Sequence, residues 1–141
     1  MTAAWAVAAA GVFVWLGMVL AISFLEAPLK FRAPGITVPL GLGIGRLVFR
    51  ALNTAELLLG LAVLVALSIK APPAPVVVAI LTAVAALMIQ VFAVRRWLNR
   101  RSDEVLAGAE GPRSRGHYVY IALEVVKVIA LLTTGALLLG A

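Results

Sequence analysis

Hydrophobic and polar positions alternate on a long scale in this chain: four extended apolar runs, two basic stretches between them, and one short turn. A helix needs about 20 consecutive apolar residues to cross the hydrocarbon core of a bilayer. Residues 3–25 form an uncharged run of that length, and residues 51–69 form a second that holds one charge, Glu56. Residues 71–94 are uncharged, with Pro72, Pro73 and Pro75 at or before the first turn, where proline is tolerated. Residues 118–141 make the fourth run, interrupted by Glu124 and Lys127. Helix is the expected state of each run, because lipid offers no other partner for the backbone of an isolated span. The pattern therefore predicts an all-α, polytopic membrane protein built as one four-transmembrane-helix bundle.

Two connections read differently. Residues 33–45 are apolar but too short to span, and Pro34, Gly35, Pro39, Gly41, Gly43 and Gly45 interrupt them. The expectation is a non-helical segment that lies in the interface, held by Phe31 and Leu40, or dips back as a re-entrant loop. Gly41 and Gly45 also make a weak helix-dimerisation spacing. Residues 102–116 mix Asp103, Glu104 and Glu110 with arginines and read as a solvated loop with room for one helical turn.

Polar side chains inside the spans fall on stripes. Arg46, Arg50, Asn53, Glu56 and Gly60 recur every three or four residues, as do His117, Tyr120, Glu124, Lys127 and later Thr134, so each set occupies one helix face. At 1.5 Å per residue, Glu56 lies roughly 9 Å beyond Arg50, Glu124 roughly 10 Å beyond His117, and Lys127 roughly 15 Å deep. Gln90, Ser23 and Glu26 fall in the same half. If the second and fourth helices are neighbours, Lys127 can bridge both glutamates. Ionisable groups within a span are costly and face a partner or a cavity. Two readings follow. In one, Glu56, Glu124 and Lys127, with Asn53, Gln90 and Tyr120, line a polar cavity open to the cytoplasm that binds an ion or small solute. In the other, they form an internal salt bridge that fixes which helices pack together.

Charge orients the bundle. Lys30, Arg32, Arg46 and Arg50 lie between the first two runs, and Arg95, Arg96, Arg100, Arg101, Arg113 and Arg115 between the last two; Lys70 alone lies on the opposite side. Cytoplasmic loops carry the excess of Lys and Arg, so ten against one predicts both termini outside. Trp97 and Tyr118 are then anchors at the inner interface and Trp5 at the outer one. Arg95, Arg96, Arg100 and Arg101 are expected to contact lipid headgroups. Residues 1–25 lack the basic start of a secretory leader, and their apolar run exceeds its usual length, so no cleavable signal is expected. Heavy use of Ala, Val, Leu and Arg points to a bacterial cytoplasmic membrane.

Composition agrees and narrows the chemistry. Of 141 residues, 64% are hydrophobic and 13% charged, against about half and a quarter in soluble domains, so lipid must solvate the chain. The net charge of +6 is read as headgroup attraction, with no nucleic-acid partner. There is no cysteine, which excludes disulfides, thiolate metal sites and cysteine nucleophiles. His117 is the single histidine, so bis-histidine haem ligation and the paired di-iron pattern are impossible. Phosphate-loop, zinc-hydrolase and nucleophile-elbow motifs are missing too, and neither an enzyme nor a cofactor is expected. A faint parallel repeat places Glu56 and Glu124 at similar depth on the second helix of each hairpin.

Trp15-Leu16-Gly17, then Phe24, Ala27-Pro28 and Phe31, and finally Gly45-Arg46, Phe49 and Asn53 resemble the small four-helix membrane family that includes human transmembrane protein 205. The likeness covers the first half of the chain; the second half matches in hydropathy alone. It implies a four-helix membrane fold and carries no settled activity. Two functions stay open: a small permease or channel-like protein using Glu56, Glu124 and Lys127, or a non-catalytic accessory subunit of a larger membrane complex or homo-oligomer. For the second, Ala83, Ala86 and Gln90 are expected to offer an outward small-residue face.

Overall fold

The computed structural model describes residues 1–106 and 115–141, and among these every regular element is helical. Four helices are long and apolar enough to cross a membrane: α1 (Ala3–Lys30), α2 (Val38–Ile69), α3 (Ala74–Arg101, continuing to Leu106) and α4 (Arg115–Leu139). The chain is a multi-pass, all-α membrane protein. Large apolar side chains such as Leu47, Leu58, Leu61, Leu81, Phe92 and Ile129 point outward along the helices, the inverse of a water-soluble bundle.

The helices overrun the expected spans, mostly at their basic ends. The 32 residues of α2 reach about 48 Å, well beyond a core of about 30 Å. Its first turns are the segment expected to be non-helical, and the correction has a local cause. Thr37 caps the helix by accepting from Leu40 N–H at 3.2 Å, and Pro39 sits in the first turn, where its missing donor is harmless. The glycines are used for tertiary contact: a Cβ on Gly41 would overlap the Phe31 ring, and one on Gly45 would lie 3.1 Å from Lys30 Nζ. The Gly41–Gly45 spacing thus seats the end of α1 within the same chain. Gly35, at φ 82°, makes the turn between them.

α3 likewise continues through Ser102–Leu106, the helical turn that the solvated stretch allowed, and Arg46 of α2 pairs with Asp103 there at 2.6 Å. Residues 107–114 of that expected loop lie outside the described residues, and 115–116 begin α4. Trp97 packs against buried Gly116, joining this extension to the start of α4. At the opposite end, Trp5 Nε1–H donates to the Lys70 carbonyl at 2.9 Å while the Lys70 ammonium lies over its ring. That clasp ties the start of α1 to the α2–α3 turn.

α1 packs along both α2 and α4, and α3 packs along α4. The order around the bundle is therefore α2, α1, α4, α3, which places α2 and α4 on a diagonal. Small residues permit the close approaches: Gly11 meets Val63, Gly60 meets the Trp15 ring, and Gly135 lies under Phe13. In the half away from the arginines the interior is mostly apolar, with Ala8, Val12, Val63, Leu67, Ile80, Leu131 and Leu138 buried and the Thr134 hydroxyl bonded to the Ala130 carbonyl.

Candidate functional site

Toward the basic end the interior changes character. Glu56, Gln90 and Lys127 are wholly buried and Glu124 is 1% exposed. Lys127 Nζ lies 2.5 Å from Glu56 Oε2, 2.5 Å from Glu124 Oε1 and 2.7 Å from Gln90 Oε1. An ammonium has three N–H donors, and these three acceptors use them all. Lys127 bridges both glutamates, as the sequence allowed for adjacent helices, but here it does so across the bundle. α2 and α4 stand across the bundle from each other and meet through side chains; Lys127 crosses the bundle axis, and α1 and α3 close it in from either side.

Those flanking helices supply hydrogen bonds to the carboxylates. Trp15 Nε1–H of α1 donates to Glu56 Oε2 at 2.7 Å, and Ser23 Oγ–H donates to Glu124 Oε2 at 2.5 Å. Gln90 Nε2–H of α3 donates to Glu124 Oε1 at 3.2 Å and to the Tyr120 carbonyl at 3.3 Å. Both helices are locally unwound where they do so: α1 is π-helical over Leu20–Glu26, which contains Ser23, and α3 over Gln90–Val94, which opens with Gln90. π-Helical turns are rare and collect at functional sites. Here each one delivers a polar side chain to the same ion cluster.

One helical turn nearer the arginines the polarity continues. Tyr120 Oη–H donates to Asn53 Oδ1 at 3.3 Å, and Phe49 meets the Tyr120 ring edge-on. The Arg95 guanidinium lies over both rings, 4.7 Å from Tyr120 and 5.1 Å from Phe49. Two of its nitrogens, Nε and Nη2, are buried without a hydrogen-bond partner, as is Glu56 Oε1 in the cluster itself. Arg95 thus turns partly inward, whereas Arg96 and Arg100 are exposed at the basic end and Arg101 pairs with Glu104 at 3.1 Å.

All six predicted site residues converge: Glu56, Gln90, Glu124 and Lys127 in the ion cluster, Asn53 and Tyr120 beside it. Their setting is the mutual pairing of one reading and differs from the open cavity of the other, since the central four are sealed from solvent. A groove of about 630 Å³ does lie between α3 and α4, but it is lined by Val78, Ala79, Val126 and Ile129 among others and by none of the cluster residues. Glu26, in the same half, stays out of the cluster and lies 3.9 Å from Lys30. The outward small-residue face is also corrected: Ala83, Ala86 and Gln90 are buried, so that stripe of α3 serves internal packing. Sequence reasoning missed Trp15 as a partner of the ions. An indole N–H in mid-span must find an acceptor, and that requirement was the available signal.

Fold and site together define the class: a four-helix, multi-pass membrane protein whose interior holds two carboxylates against one ammonium. No family model, curated protein or solved structure matches the chain.

Proposed function

We propose that this protein handles an ion or small solute across or within the membrane, without catalysis, through the cluster of Glu56, Glu124 and Lys127. The observation that carries the reading is the charge imbalance in a sealed interior. Two carboxylates share one ammonium, so the ionised cluster holds one negative charge that nothing hydrogen-bonded to it cancels. A merely structural ion pair needs one partner of each sign, and burying an extra charge in low dielectric is unfavourable. The polar groups continue from the cluster toward the arginine-rich end, whereas in the opposite direction the core is mostly apolar and buried Thr134 bonds back within its own helix. By the positive-inside rule that end is cytoplasmic, in the plasma membrane of a bacterium, with both termini outside.

The experiment is flux in proteoliposomes. Glu56→Gln with Glu124→Gln keeps hydrogen-bonding amides but removes the negative charge that attracts a cation. The doubly substituted protein leaves Lys127 without a counter-charge, so it is expected to insert and fold with reduced stability while losing proton- or cation-coupled flux. Wild type without flux of protons, alkali cations or small organic cations would defeat the transport reading. The accessory-subunit reading draws on the closed mutual pairing around Lys127, and a stoichiometric partner co-purifying in mild detergent would support it.

A further inference from the structure

We propose that the ion bound by this cluster is the proton, and that Glu56 Oε1 is the atom that takes it. The inference rests on the transport reading above and deepens it. An alkali cation has no place to sit, because the point between the two carboxylates is already occupied by Lys127 Nζ, whose three donors are matched to Glu56, Glu124 and Gln90. The ammonium is a tethered cation in the position a free one would need. What the cluster lacks is one positive charge, and a proton supplies that without requiring a cavity.

The acceptor atom follows from the hydrogen bonds. Glu124 has both oxygens engaged: Oε1 accepts from Lys127 and Gln90, and Oε2 accepts from Ser23. A proton on Oε1 there displaces a donor, and one on Oε2 must share that oxygen with the Ser23 hydroxyl or turn the hydroxyl into an acceptor. Glu56 accepts from Trp15 and Lys127 through Oε2 alone, and its Oε1 is buried with no partner. A proton on Oε1 forms one O–H bond, breaks no hydrogen bond, and takes the cluster from a net charge of −1 to neutral. Buried oxygens without partners are uncommon and mark either a functional group or a missing ligand. The charged and titratable groups facing Glu56 are Lys127 and Glu124 from α4, with Tyr120 one turn on. From α1 there is the neutral donor Trp15, and from α3 neutral Gln90, with Arg95 beyond it.

Trp15 makes the proposal measurable, because its indole N–H is hydrogen-bonded to the carboxylate that would titrate. The protein in lipid nanodiscs is titrated from acid to alkaline pH while tryptophan emission is recorded. The Trp15 component is taken as the difference from the Trp15→Phe variant. The expected result is a single one-proton transition in that component, absent in Glu56→Gln and retained in Glu124→Gln at a displaced midpoint. Persistence of the transition in folded Glu56→Gln, or its loss in folded Glu124→Gln alone, would overturn the assignment. So would a Trp15 signal that stays flat wherever the native chain remains folded. Should either amide variant fail to insert, Glu56→Asp decides: the infrared band of a buried protonated carboxyl must move in that variant if Glu56 carries the proton, and an unmoved band rejects it. A Trp15 transition without any flux keeps the proton site and removes transport. Alkali-cation flux with a flat Trp15 signal keeps transport and removes the proton.

Discussion

Replacing Lys127 with methionine tests whether the ion cluster holds the bundle together. Methionine fills a similar volume and leaves the apolar stem packing nearly intact, so the perturbation is mostly electrostatic. The structure shows what is lost: three contacts from Nζ, to Glu56 Oε2, Glu124 Oε1 and Gln90 Oε1, all to groups essentially inaccessible to solvent. Two carboxylates then face the same dry centre without a counter-charge. Breaking a buried pair by removing one partner costs about 3–5 kcal/mol. That is a large share of the roughly 5–15 kcal/mol that stabilises an ordinary domain. The Trp15, Ser23 and Gln90 donors remain and soften the loss without cancelling charge. The assay is thermal unfolding in detergent–lipid micelles of Lys127→Met, Glu56→Gln, Glu124→Gln and the two pairwise combinations. Contacting charges are expected to couple by about 0.5–3 kcal/mol, each glutamine partly rescuing the lysine variant. Both cycles additive to within about 0.5 kcal/mol would refute the idea that Lys127 bridges the carboxylates.

Two further outcomes are expected. A reporter fused after Ala141 is active only in the extracytoplasmic compartment, because the basic side chains gather at the other end; activity of a cytoplasmic reporter there would reverse the topology. Gly41→Leu drives a side chain into the Phe31 ring and destabilises the α1–α2 hairpin by about 1–3 kcal/mol, with partial recovery in Gly41→Leu/Phe31→Ala. Equal melting temperatures for native chain and single variant would show that Phe31 does not depend on this glycine.

The number and type of the long elements were legible in the sequence because the bilayer imposes them. A run of about 20 apolar residues has few alternatives to helix in lipid. The polar stripes were legible for the same reason: spacing by three and four fixes a face whatever the helix packs against. Spacing thus places Glu56, Glu124 and Lys127 on definite faces, while Gln90 is legible by its depth alone. Helix ends were less legible. The Pro- and Gly-rich start of α2 reads as a breaker until Phe31 and Lys30 occupy the space over Gly41 and Gly45, and that contact comes from another helix. The neighbour order was beyond the sequence altogether. Four helices of similar apolarity give no local signal of which pair touches, so the diagonal placement of α2 and α4 is a property of the packed bundle. The same holds for closure of the site. Whether two carboxylates and an ammonium line a cavity or meet one another depends on distances of a few ångströms across the axis. The π-helical turns that bring Ser23 and Gln90 inward are likewise set by the hydrogen bonds waiting there. Sequence determined which residues are polar, on which faces and at what depth; only the tertiary structure decided that they satisfy each other and left Glu56 Oε1 over, because complementarity belongs to the assembled interior and to no single helix.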